Sequence, residues 1–138
     1  MWKAAVVILA LCSIARADDK AIAKYAGKLV MSDRAPPTSF DELPAYLEAN
    51  VAKDGRYELI KWDVNFVGVV SKAADKVTLQ VGDAKDPLVT MELVPKRLVV
   101  VGHFTPTKAA GFEEGKAYAV MLVAGKAVLA KGELVLHR

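Results

Sequence analysis

Hydrophobic periodicity predicts a mainly β chain, an antiparallel β-sandwich with an N-terminal helical segment packed on it. Three observations carry that reading. Beyond residue 54, apolar and polar residues alternate with period two in several short runs. Turn residues separate six or seven such runs at the intervals a sandwich needs. And 138 residues, 54 % hydrophobic and 25 % charged, supply the apolar material for one core and one folding unit.

The elements follow in chain order. Met1-Trp2-Lys3 starts a leader in which only Ser13 is polar between Ala4 and Ala15, and Ala15-Arg16-Ala17 is a small-x-small cleavage site before Asp18-Asp19. Residues 1–17 therefore read as a signal peptide, too short for the roughly 20 residues of a spanning helix. A lipoprotein leader using Cys12 is the rival, but Leu11 stands where a small residue is expected. Residues 18–53 form the helical N-terminal segment. In it Ile22, Tyr25 and Ala26 fall at helical spacing before Gly27, and Pro36-Pro37 forces an extended stretch. Ser39 with Glu42 makes a capping box for a helix whose stripe is Leu43, Tyr46, Leu47 and Val51; Pro44 is tolerable in its opening turns. That stripe must be covered, so 18–138 is expected to be one cooperative unit.

Residues 54–138 form the β-sandwich. After the Asp54-Gly55 turn, Trp62, Val64 and Phe66 alternate with polar residues, as do Val77, Leu79 and Val81, and Val89, Met91 and Leu93. Residues 97–104 and 117–123 are apolar on both faces, which implies central strands or cover from the helices. Pro95-Lys96 and Gly125-Lys126 read as two-residue connections, and Gly132 in the last strand, 127–137, reads as a bulge.

Phe112-Glu113-Glu114-Gly115-Lys116-Ala117-Tyr118-Ala119-Val120 follows a long loop and opens a strand. This segment resembles the turn into strand of fibronectin type III and immunoglobulin-like domains, without the cysteine pair of antibody domains. The resemblance implies an immunoglobulin-like sandwich in which the Tyr118 hydroxyl bonds back to an upstream backbone group. It implies a fold and no function.

The formal charge is +3, but Lys3 and Arg16 belong to the leader, and without them 17 basic face 16 acidic side chains. That balance excludes a basic nucleic-acid-binding protein. The cleaved chain has no cysteine and no Asn-x-Ser/Thr acceptor, which suits an exported bacterial protein, periplasmic or extracellular, held by its core alone.

Chemistry is sparse. Ser32, Ser39 and Ser71 lie outside any Gly-x-Ser-x-Gly elbow. His103, between Gly102 and Phe104, reads as a strand residue with a satisfied ring nitrogen, and His137 as a solvated residue near the terminus. Copper ligands would have to come from His103, His137, Met31, Met91 and Met121, which are scattered singly. Asp18-Asp19 and Glu113-Glu114 read as solvated pairs, and Asp75, Asp83 and Asp86 lack the dense oxygen spacing of a calcium loop. Gly111 and Gly115 are turn residues, not a phosphate loop, and the lysines from Lys20 to Lys131 are spread without aromatic interleaving. No catalytic residue, cofactor or metal is assigned. The expectation is a non-enzymatic binding or structural module that contacts another envelope or extracellular protein through a sheet edge or the 105–116 loop. The alternative is a periplasmic copper carrier or a small hydrolase with an unrecognised site.

Overall fold

The computed structural model describes residues 19–137. The expected leader and its cleavage site lie outside them. The chain is mainly β and forms two sheets. Eight strands run in order: β1 (Leu29–Ser32), β2 (Arg56–Leu59), β3 (Val64–Val69), β4 (Val77–Asp83), β5 (Asp86–Leu93), β6 (Val99–Phe104), β7 (Ala117–Ala124) and β8 (Ala127–Leu136). One sheet has the order β1-β3-β6, the other β2-β8-β7-β4-β5. Among the described residues the strand pairings are antiparallel except β2 with β8, which is parallel, as is the isolated Lys28–Lys131 bridge, and this corrects the all-antiparallel expectation.

The inner faces of the two sheets share one core. On β3, Val64, Phe66 and Gly68 point inward: a Cβ on Gly68 would collide with the Leu122 side chain of the facing sheet. The same pleat turns Val67 and Val69, and the paired Val30 of β1, to the opposite face, yet all three are buried. Their cover is helical. Residues 19–23 are helical, and helix α1 (Leu43–Asn50) follows a 3-10 turn at Phe40–Glu42. Ile22 lines a depression with Val69 and Leu98, while Phe40 and Leu43 line another with Val99 and Val101. Leu43 and Leu47 of α1 are buried and α1 touches β1. Ser39 starts this segment, its Oγ accepting from the Asp41 N–H at 3.2 Å, but it caps the 3-10 turn and not the α-helix, which begins at Leu43 with no side-chain cap from Glu42.

The segment 18–53 is thus mixed rather than helical throughout. Leu29-Val30-Met31 has an inner core on one side and the helical layer on the other, so an all-apolar strand fits inside the segment expected to be helical. The 117–123 run forms a central strand, but only one of its faces is covered. Tyr118, Val120 and Leu122 are buried, whereas Ala117 and Ala119 are exposed. The bulge in β8 falls at Leu129, where the register with β7 shifts, and not at Gly132. Gly132 instead lies against β1, where a Cβ would stand 2.9 Å from the Leu29 carbonyl oxygen.

Tyr57 of β2 is 6 % exposed and its hydroxyl accepts the Ala52 N–H at 3.1 Å, tying the chain after α1 to the sheet. Burial raises the Tyr57 pKa above its ordinary 10.0, and the Asp54 charge adds to the rise against the lowering bond from Ala52. A raised folded-state value means that the stabilising contribution is complete below about pH 10 and is lost as pH climbs toward the folded value. Thermal melts should show a Tm that falls above that pH, with part of the alkaline loss abolished in Tyr57→Phe; an identical alkaline slope in both proteins would contradict this role.

Candidate functional site: an open sheet edge

Sheet edges expose unpaired backbone groups, and most edges here are blunted. Strand β5 opens with Asp86-Pro87 and carries the Glu92–Lys76 ion pair, 3.5 Å. Strand β2 carries Arg56, which lies 3.7 Å from Glu133 and 4.0 Å from Glu58. Strand β1 is bridged at its start, where the Lys131 N–H donates to the Gly27 carbonyl at 3.1 Å. Strand β6, Val-Val-Val-Gly-His-Phe, is bridged only at its start, by Lys96 to Val99, and its one charged contact, His103 with Asp63, leaves the backbone beyond Val100 open.

The sequence reading made 97–104 a central or covered strand. Cover from the helices holds over Val99, but β6 is not central: it is the free edge of the three-stranded sheet, with Val99 and Val100 buried and Val101 45 % exposed. The helical layer covers Val101 only in part, with Phe40 and Leu43 lining the depression beside it. In antiparallel pairing the N–H and C=O of one residue point the same way and neighbours alternate. The Leu98 carbonyl accepts from Val70 on the β3 side at 2.9 Å, and Val99 exchanges bonds of 2.8 and 2.9 Å with Lys96 on the other side. Alternation then turns Val100, Gly102 and Phe104 toward β3. The N–H and C=O of Val101 and His103 point out of the sheet, without a partner among the described residues.

The approach to this edge is apolar and strained. Val94 is 74 % exposed and Leu98 39 %. Val94 and Val101 flank a depression of about 250 Å³ with Phe40, Leu43, Lys96 and Val99. The tight turn into β6 is Arg97-Leu98, not Pro95-Lys96, and both residues have positive φ, 51° and 67°, as a type I′ turn requires. Neither is glycine. Asp19 holds Arg97 at 2.6 Å, and the guanidinium lies 4.6 Å from the Phe40 ring centre. These contacts offset the left-handed backbone.

The residues weighed for chemistry are dispersed. His103 lies on β6 with its ring against the Asp63 carboxylate, a satisfied strand histidine. His137 is better held than expected: its N–H donates to the Leu59 carbonyl at 2.8 Å, its ring lies 3.0 Å from Glu58, and its carbonyl accepts the Trp62 indole N–H. Met31 is in the core, while Met91 and Met121 lie on β5 and β7. Ser32 Oγ accepts the Arg34 N–H, and Ser71 lies on the loop after β3. Glu113 pairs with Lys116 at 3.4 Å. Asp83 and Asp86 face each other at the end of the β4–β5 hairpin, where the Asp83 carboxylate accepts the Lys85 N–H, and Asp75 lies in the preceding loop. Among the described residues, no group of three or more His, Cys, Asp and Glu is placed to hold a metal ion, and no helix is long and apolar enough to cross a membrane. The Tyr118 hydroxyl does bond upstream, accepting the Glu113 N–H at 2.6 Å.

Sequence reasoning missed the Val101–His103 edge because an all-valine run reads as interior. Pro95 and Pro106, which bracket the run, were the available signal for an edge. The left-handed turn gives a direct check on this geometry. Leu98→Gly should be more stable than Leu98→Ala by about 1 kcal/mol in denaturant titrations, reversing the usual order of these residues. Equal stability, or a more stable alanine variant, would contradict a left-handed Leu98. Compared with known proteins, the chain matches no protein-family model and no curated protein.

Proposed function

We propose that the chain is an exported, immunoglobulin-like, non-enzymatic binding module of the periplasm or extracellular space. It acts by pairing β6 with an extended strand of a protein partner. The immunoglobulin-like reading draws support from the sheet orders β1-β3-β6 and β2-β8-β7-β4-β5, and from the Tyr118 bond across the turn into β7. Export rests on the leader at residues 1–17.

The observation that carries the binding role is the outward-facing N–H and C=O of Val101 and His103 beside exposed Val94 and Leu98. Strand addition satisfies such backbone groups, while neighbouring apolar pockets select the side chains of the incoming strand. Catalysis has less support, since the two His–carboxylate contacts lie on different sheets with no serine or cysteine bonded to either ring.

Val101→Pro tests the role directly. It removes an outward donor and leaves the bonds of Val100 and Gly102 to β3 intact, a position where proline is tolerated. The tagged wild-type protein should retain a protein partner from a native envelope extract, and the variant, with unchanged circular dichroism, should lose it. Undiminished capture by the folded variant would overturn the edge as the binding surface.

A further inference from the structure

The free edge of β6 is self-complementary, and we propose that the strand it takes is β6 of a second copy, paired antiparallel about a two-fold axis at Gly102. The proposal rests on the strand-pairing reading above and names its partner. Within β6, Val101 and His103 offer outward N–H and C=O groups, while those of Val99 are taken by Lys96. An antiparallel pairing centred on Gly102 sets Val101 opposite His103 of the second copy and His103 opposite its Val101. Both are hydrogen-bonded positions, so every free group on the edge is satisfied by an identical free group. A shift by one residue would set His103 against Val99, whose groups are already used.

Charge favours the same arrangement. The basic Lys96 stands beside Val99 at the start of the edge. The acidic Asp63, whose carboxylate also holds the His103 ring of its own chain, lies at its far end, since Val64 pairs with Phe104 and Asp63 directly precedes it. Antiparallel pairing about Gly102 brings Val99 level with Thr105 of the second copy, and so carries Lys96 of each copy toward Asp63 of the other. Parallel pairing would bring Lys96 against Lys96. Lys96 bonds both backbone groups of Val99, so the pairing runs no further than Val100 opposite Phe104, and Thr105 of the second copy must turn out of the sheet beside Lys96.

Sedimentation of the purified mature protein over a range of concentrations should show an average mass rising from one chain toward two. Lys96→Glu and Asp63→Lys each place like charges at both symmetric contacts and should each raise the dissociation constant about tenfold. Mixing these two variants creates two attractive contacts, and the mixture should associate about as well as the wild type. Val101→Pro should stay monomeric. A wild type that is monomeric at every concentration, or a mixture of the two charge variants that associates no better than either alone, would overturn the proposal. Should Val101→Pro lose capture of a different envelope protein while the wild type is monomeric, the second copy is excluded as the partner and the strand-pairing reading survives.

Discussion

The architecture depends on the close approach of β1 to β8. There the Lys131 N–H reaches the Gly27 carbonyl, and Gly132 leaves no side chain between its own backbone and Leu29. Residues 131–132 belong to the five-stranded sheet and residues 27–29 lead into the three-stranded one, so this contact sets how the two sheets meet. A methyl group at Gly132 would press on backbone oxygen, which yields less readily than a side-chain tip. The adjoining bulge at Leu129 makes a second link between the sheets. Its carbonyl turns aside to accept the Ser71 N–H at 2.9 Å, so β8 contacts the loop after β3 as well as β7.

Once the sheets meet there, the outer face of β1-β3-β6 is left apolar and needs a second cover. The helical turn at 19–23 and α1 supply it over Val30, Val67, Val69 and Val99. The cover ends at Val101. The strained Arg97-Leu98 turn lies at this boundary, pinned by Asp19 and Phe40 from the helical layer itself. One layer therefore buries most of the sheet, holds the turn, and leaves two residues of β6 open. Exposed apolar surface next to unpaired backbone groups is a liability for a chain that stays alone and an asset for one that pairs.

Much of the fold was legible in the sequence, for physical reasons that vary by element. Strand β4 was readable because Thr78 and Gln80 face outward between buried Val77, Leu79 and Val81. The Tyr118 bond was readable because a turn glycine and an early tyrosine constrain one another locally. Strand β1 was not, because an apolar run covered on both sides has no period. The edge position of β6 was obscured for the same reason, with only the flanking Pro95 and Pro106 to signal it: Val99 is buried under the helices and Val100 in the core, while Val101 in the same run is exposed. Whether a valine faces a neighbour or open space depends on where α1 ends in three dimensions. The candidate site, being made of backbone groups, carried no side-chain motif to read.

Amide hydrogen exchange along residues 99–104, followed as a function of protein concentration, tests the central claim most directly. The account predicts slow exchange at Val100, Gly102 and Phe104 under all conditions, because these amides bond to β3. It predicts fast exchange at Val101 and His103 in dilute protein and protection of both together as concentration rises. Protection of Val101 and His103 at high dilution, or exchange at these two amides that never responds to concentration, would contradict it.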